Sequence, residues 1–256
     1  MLSSRKVKQY LPVSCCIYCG KADVKLSNEH IIMYGLGGKE VLPKASCSNC
    51  ARLTSQVEQF IAREMWGPFR VLTSIQSRNK QRSAEIGYLV RSPGATNFRK
   101  RLLPVGNHPA WLHFPKMPER EFFTKIPFET FDSWSQIYNQ EVFKRWEGKR
   151  VHVGAIDLQK FSLFLAKIAH SFACAEIGLS SFQPFLQAVI LGLHDKLSMF
   201  VDSYQHGLPA EEDILHRQQM VDIDRDGIKY KGVRLRLFAN CGSPEYVVVV
   251  GTPTNI

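Results

Sequence analysis

The stretch CIYCGKADVKLSNEHIIMYGLGGKEVLPKASCSNC, residues 16–50, predicts how the front of this 256-residue chain folds. It begins with the pair Cys16 and Cys19 and ends with the pair Cys47 and Cys50, each in a Cys-x-x-Cys spacing. One turn with this spacing presents two thiolates, and structural zinc takes four such ligands in a tetrahedron. Two pairs so close together predict one structural Zn²⁺. Cys15 is adjacent to Cys16, but only Cys16 has the required spacing.

The predicted metal also has an energetic role. The segment is too short to enclose a hydrophobic core of its own. Zinc binding contributes folding free energy on the order of 10 kcal/mol. The expected order of elements is a knuckle, a hairpin, a second knuckle and a helix. The helix, over residues 51–65, ends at Gly67-Pro68 and has an apolar face with helical spacing, which consists of Leu53, Val57, Phe60, Ile61 and Met65.

Between the two knuckles lies the motif Asn28-Glu29-His30-Ile31-Ile32, followed by Leu36-Gly37-Gly38. Together with the two cysteine pairs, these residues resemble HNH (ββα-metal) endonucleases whose hairpin is held by zinc. The resemblance covers about residues 14–82. It implies that Glu29 binds a catalytic divalent ion, Mg²⁺ or Mn²⁺. It also implies that His30 is the general base that deprotonates the attacking water.

Two positions depart from the family pattern. The Asn expected before the second apolar strand is missing from Glu40-Val41-Leu42, and Ala51 stands where the family has His or Asn. Helical geometry, at about 100° per residue, places Glu58 on the same face as Ala51, away from the predicted core stripe. We therefore expect Glu58 to be the second ligand of the catalytic ion; a solvated glutamate is the alternative.

Positive charge is concentrated in the first part of the chain. Residues 1–102 contain 17 Lys and Arg against 6 Asp and Glu, whereas residues 103–256 contain 16 against 17. Localised positive charge is typical of proteins that bind the phosphate backbone, although a merely soluble basic surface would look the same. The candidate nucleic-acid-binding residues are Arg52, Arg63, Arg70, Arg78, Lys80 and Arg82.

The rest of the chain has no recognisable catalytic motif. Asp157 and Gly178 predict the ends of a helix over residues 157–177. A second helix is expected over residues 182–200, then a hairpin of strands 232–238 and 246–250. Asp222, Asp224 and Asp226 are interpreted as a polar turn, because the Glu of a calcium loop is missing.

The predicted fold class is α+β, with a zinc-stapled ββα-metal (HNH) module followed by a separate α+β module. The expected divisions are residues 1–82 for the nuclease domain, 83–150 for a basic, aromatic-rich connector and 151–256 for a partner, regulatory or dimerisation module. We find no secretory signal or membrane span in the sequence and expect a cytoplasmic protein.

The expected function is a metal-dependent endonuclease that acts on DNA, with RNA not excluded. The alternative is a non-catalytic zinc module that binds nucleic acid. The missing Asn and Ala51 favour that alternative.

Overall fold

A computed structural model of the chain describes residues 8–75, 85–104, 107, 110–117, 119, 121–125, 132–144, 150–151, 156–193, 198–205 and 208–254. Arg78, Lys80 and Arg82, and the expected boundary at residue 82, lie outside these described residues.

The described residues form twelve strands and six α-helices. The strands are β1 Leu26–His30, β2 Val41–Cys47, β3 Glu85–Arg91, β4 Arg99–Pro104, β5 Ala110–Lys116, β6 Asp132–Tyr138, β7 Arg150–Val151, β8 Phe182–Pro184, β9 Val201–Gln205, β10 His216–Arg225, β11 Ile228–Leu237 and β12 Glu245–Pro253. The helices are α1 Ser48–Phe60, α2 Gly67–Leu72, α3 Glu121–Thr124, α4 Gln140–Lys144, α5 Leu158–Ile177 and α6 Leu186–Ile190. The mixed α+β class expected from the sequence is therefore confirmed.

The front of the chain is an antiparallel hairpin followed directly by a helix. β1 pairs with β2, and two steps along β1, from Ser27 to Glu29, correspond to four along β2, from Ser46 to Leu42. The extra residues bulge out of β2, where Lys44 has a φ of 47°. Bulges of this kind redirect side chains next to functional sites. This one lies opposite the segment that carries Glu29.

The predicted helix over residues 51–65 is present but differs at both ends. α1 begins earlier, at Ser48, and continues from Ile61 to Met65 as a π-helix. Gly67-Pro68 ends this helix as predicted and also begins α2, since Pro is well tolerated in the first turn of a helix. The predicted core stripe is partly wrong: Leu53 is only half-buried, whereas Ala62, on the Glu58 face, is buried. The reason is that α1 also packs against α5.

Helix α5 agrees closely with the prediction. Asp157 caps its N-terminus by accepting a hydrogen bond from the Lys160 N–H at 3.0 Å, and Gly178 follows its last turn with a φ of 81°. The second predicted helix, over residues 182–200, is wrong. Phe182–Pro184 forms strand β8 instead, because it pairs with the end of β12. The short helix α6 and, at Ser198–Phe200, a 3-10 helix follow among the described residues.

The C-terminal sheet is larger than the predicted hairpin. β11 and β12 pair as expected. However, β10 adds a third strand that contains Asp222 and Asp224, so their interpretation as a turn is wrong, whereas Asp226 does lie in the turn between β10 and β11. β8 and β9 both pair with β12, which gives five strands. The run of apolar residues from Tyr246 to Val250 is buried throughout, because β12 has neighbouring strands on both sides.

One hydrophobic core connects the front and the back of the described chain. Residues of the knuckles, of α5 and of β12 belong to the same buried cluster. Trp66, at its centre, is fully buried and donates its indole N–H to the carbonyl of His113 at 3.0 Å. The first and third predicted segments therefore share a core. Within the described residues, no helix is both long and apolar enough to cross a membrane.

Candidate metal centre and the buried lysine beside it

The four predicted cysteines converge on one point. The Sγ atoms of Cys16, Cys19, Cys47 and Cys50 all lie within 4.8 Å of one another, and those of Cys19 and Cys47 are 3.8 Å apart. A tetrahedral zinc with bonds of 2.3 Å places its sulfur ligands about 3.8 Å apart. The cluster therefore has the ligand type, number and spacing to hold a structural metal ion such as zinc. Among the described residues it is the one such group of His, Cys, Asp or Glu side chains.

The backbone explains how these sulfurs meet. The first knuckle is a tight turn in which Gly20, with a φ of 73°, donates its N–H to the carbonyl of Cys16 at 2.8 Å. Cys47 ends β2 and precedes the first residue of α1, so Cys50 lies in the first helical turn. The knuckle and β2 are joined by the Ile17 N–H, which donates to the carbonyl of Ala45 at 2.9 Å.

The environment of the cluster shifts the pKa values of two of its thiols, Cys47 and Cys50, in opposite directions. Burial raises the pKa of Cys47, but hydrogen bonds from the Cys50 N–H and from the neighbouring thiols bring it down to about 7. Burial first, and then the neighbouring thiols, raise the pKa of Cys50. Zinc binding would remove the difference between the two thiols, since a zinc-bound thiol is deprotonated.

Backbone geometry explains why the Leu36-Gly37-Gly38 motif contains two glycines. A Cβ at position 38 would lie 1.9 Å from the carbonyl oxygen of Ile32, so only Gly fits there. Gly37 has a φ of 87° and ends the short 3-10 helix Tyr34–Leu36. The glycines thus let the loop fold back onto the strand that carries Glu29 and His30.

The two motif residues at the end of β1 point to different environments, as expected for neighbours on a strand. Glu29 is buried, with 6% exposure, whereas His30 is half-buried. The His30 ring lies in an edge-to-face arrangement with Tyr34, at 6.2 Å between centroids. Ala51, the fourth residue of α1, is half-buried and offers no ligand.

The carboxylates of Glu29 and Glu58 do come together, but the cation between them is the ammonium group of Lys167. Lys167 Nζ lies 2.6 Å from Glu29 Oε1 and 2.8 Å from Glu58 Oε1. It also donates to the carbonyl oxygens of His30 and of Ile31, the latter at 3.3 Å. Four oxygens from the hairpin and α1 thus surround one nitrogen from α5. The lysine occupies the place that the sequence had suggested for a divalent ion.

The electrostatics keep this lysine charged. Burial lowers the pKa of Lys167, but the carboxylates of Glu29 and Glu58 outweigh it and raise the pKa above its ordinary value. Two carboxylates against one ammonium give the cluster a formal charge of −1. Tyr18 closes the cluster on another side: it is 1% exposed, and burial, followed by the two glutamates, raises the pKa of its hydroxyl.

The predicted basic residues fall into two groups. Arg52 and Arg63 are exposed on the helical segment after the second knuckle. Arg70, in contrast, donates to the backbone carbonyls of Gly35 and Ala62, at 2.6 Å each, and so holds the glycine loop against the helix.

Two residues of α5 were not predicted to belong to the site. These residues are Lys167 and His170. The Nε2 atom of His170 lies 2.7 Å from the carbonyl oxygen of Ile17, inside the first knuckle. Burial lowers the pKa of His170 to about 4. The available signal was a lysine and a histidine one turn apart in the largely apolar middle of α5, since buried Lys and His almost always have partners.

Compared with family profiles, with curated proteins and with solved structures, the chain matches none.

Proposed function

We propose that this protein binds nucleic acid through a zinc-stapled ββα module of the HNH type, in which a lysine replaces the catalytic divalent ion. One observation carries the proposal: Lys167 Nζ lies between the carboxylates of Glu29 and Glu58, the two side chains that would bind that ion. The convergence of four cysteine sulfurs beside this hairpin supports the zinc-stapled part of the proposal.

The buried position of Lys167 argues against metal-dependent hydrolysis by this site. Metal-dependent phosphodiester hydrolysis needs a divalent cation in contact with the scissile phosphate. Lys167 is 2% exposed, so its ammonium cannot reach a phosphate bound at the surface. A divalent ion would have to displace an ammonium already bound by four oxygens. Ala51 also removes the ligand that the family supplies from the start of the helix.

Nucleic-acid binding is supported by the distribution of charge. The excess of basic residues lies in residues 1–102, which include the whole zinc-stapled segment. Arg52 and Arg63 are exposed, and Lys25, Lys39 and Lys44 are exposed on or beside the hairpin. Contacts of such side chains with phosphates position a protein on nucleic acid and provide most of the non-specific affinity.

A second candidate function is the metal-dependent endonuclease, with His30 as the general base. The observation that favours it is the position of His30, half-buried at the end of β1 and next to Glu29. Carboxylate and carbonyl oxygens are the ligands that Mg²⁺ and Mn²⁺ prefer. This activity requires a rearrangement in which Lys167 leaves Glu29 and Glu58.

Two assays on the same preparation separate the candidates. Fluorescence anisotropy measures binding to labelled DNA and RNA, and a plasmid-nicking assay with Mg²⁺ or Mn²⁺ compares the wild type with His30→Ala. We expect binding without nicking. Nicking that His30→Ala abolishes would favour the endonuclease instead. A protein that neither binds nor nicks would overturn both proposals.

A further inference from the structure

The hairpin of β3 and β4 exposes a run of basic residues that the zinc module does not explain. Arg99, Lys100 and Arg101 are consecutive in β4, and all three are exposed. Because neighbouring side chains of a strand point to opposite faces, both faces of β4 carry positive charge. In the sheet that the described residues form, whose order is β4-β3-β7, β4 is an edge strand, so no other described strand pairs with its second side.

These three cations are not neutralised by acidic neighbours within the described residues. The hairpin contains one acidic residue, Glu85, which pairs in register with Pro104 at the far end from Arg99. Six other exposed or half-buried cations, in contrast, are paired with carboxylates, namely Lys116, Lys144, Lys160, Arg217, Arg225 and Lys231. The charge on β4 is thus available to an external anion.

Apolar surface lies directly beside these cations. Phe98, which precedes β4, is 43% exposed, and the guanidinium of Arg91 lies over its ring at 5.3 Å from the centroid. Leu102, next in β4, is 60% exposed. Basic side chains that follow a phosphate backbone, combined with an exposed aromatic ring on which a base stacks, are the elements of single-strand recognition.

Charge on an edge strand has another established use, which is to prevent pairing between the edges of two copies. That role accounts for Arg99, Lys100 and Arg101. It does not account for an aromatic and a leucine exposed beside them, since apolar side chains at an edge favour association. The combination fits a polyanion with flat apolar groups, which is the chemistry of a nucleic-acid strand.

We propose that β4, together with Phe98 and Arg91, is the surface that binds single-stranded nucleic acid. Arg99, Lys100 and Arg101 contact phosphates, and the Phe98 ring stacks with a base. This inference rests on the proposed nucleic-acid-binding function and assigns it to a specific surface outside the zinc module.

The test uses the full chain and a labelled single-stranded oligonucleotide of mixed sequence. Dissociation constants are measured by anisotropy at several salt concentrations for the wild type and for Arg99→Ala/Lys100→Ala/Arg101→Ala. Each phosphate contact contributes about 0.7 to the slope of log affinity against log salt on a single strand. We expect the slope to fall by about 2 and the affinity to weaken about tenfold or more.

The matched control is Arg225→Ala/Lys229→Ala/Lys231→Ala on the β10–β11 hairpin, which removes the same number of positive charges. We expect it to keep nearly the wild-type slope. Phe98→Leu tests stacking separately: it should weaken binding to single strands and leave the slope unchanged. Melting temperatures of all variants show whether the fold is retained.

The outcomes distinguish this inference from the function on which it rests. Wild-type binding that the β4 variant leaves unchanged would overturn the assignment of the surface alone. Equal losses in the β4 variant and in the control would also overturn it, since only net charge would matter. No binding by the wild type would overturn both this inference and the proposed function.

Discussion

Lys167 Nζ lies 2.6 Å from Oε1 of Glu29, and both side chains are almost completely removed from solvent. This ion pair joins α5, in the C-terminal half of the chain, to the hairpin that lies between the two cysteine pairs. His170, one turn further along α5, repeats the connection through the carbonyl of Ile17. The two contacts anchor the hairpin on α5, so its stability depends on this helix as well as on the cysteine cluster.

We expect Lys167→Met to destabilise the protein strongly. Methionine has a similar length, but it leaves Glu29 and Glu58 buried with no cation. Removing one partner of a buried ion pair costs roughly 3–5 kcal/mol, because an uncompensated charge remains. The free energy of unfolding, measured by urea denaturation, gives the size of the effect.

The control for this prediction is Glu29→Gln/Glu58→Gln/Lys167→Met, which removes the whole charge cluster. We expect it to be more stable than Lys167→Met alone, since no charge is left without a partner. A Lys167→Met protein as stable as the wild type would mean that the ion pair does not hold these elements together.

A divalent ion should replace the missing ammonium in Lys167→Ala. The two glutamates and the carbonyls of His30 and Ile31 would then face a space large enough for a cation. Mn²⁺ and Ca²⁺ bind oxygen ligands of this kind. We expect either ion to raise the melting temperature of Lys167→Ala by several degrees more than that of the wild type.

Ethylammonium offers a second rescue of the same variant, because it restores the lost head group. Glu29→Gln/Lys167→Ala is the matched control, since it lacks one of the two carboxylates. If the ions and ethylammonium stabilise this double variant as much as Lys167→Ala, they act elsewhere on the protein.

The purified protein should contain one zinc ion per chain, measured by elemental analysis. Cys50→Ser should lose the metal, because three sulfurs do not complete a structural tetrahedron. Since zinc contributes folding free energy on the order of 10 kcal/mol, a strong chelator should unfold the front module. Cys174→Ser is the control: this thiol is also buried but lies outside the four-sulfur cluster, so zinc should be retained. Zinc contents that are the same in both variants would disprove the cluster.

Stability should fall as the pH falls from about 6.5 to about 4. Burial lowers the pKa of His170 from 6.5 to about 4 in the folded protein. The unfolded chain therefore binds more protons within this window, and the contribution of His170 is complete only above it. The part of the loss between pH 7 and pH 5 that is due to His170 should be on the order of 2 kcal/mol; the buried His113 and His216, whose pKa values are lowered in the same way, add to the total.

The variant His170→Gln isolates this contribution, since its amide can still donate to the carbonyl of Ile17 but does not titrate. Urea denaturation of both proteins at pH 7 and pH 5 should give a smaller loss for the variant. Zinc release in acid affects both proteins alike and cancels in the comparison. Parallel pH profiles would show that His170 is not responsible.

Much of the local structure could be predicted from residue types and spacings alone. The convergence of the four cysteines was predicted because each Cys-x-x-Cys pair is a local turn, and four soft ligands suit one tetrahedral ion. The ends of α5 were predicted because capping by Asp157 and the freedom of Gly178 are properties of a few neighbouring residues. The strands β11 and β12 were predicted from two short runs rich in apolar residues, 232–238 and 246–250, which flank a turn expected at Gly242-Ser243-Pro244.

What only the tertiary structure decided is which distant groups meet. Residues 182–200 have helical periodicity, yet Phe182–Pro184 became a strand because β12 presented an open edge. Glu29 and Glu58 were predicted to meet around a cation, but that cation is supplied by Lys167, 137 residues after His30. Spacing along the chain encodes local turns and faces. The partner of a buried charge depends on which helix packs over it, and only the common core determines that.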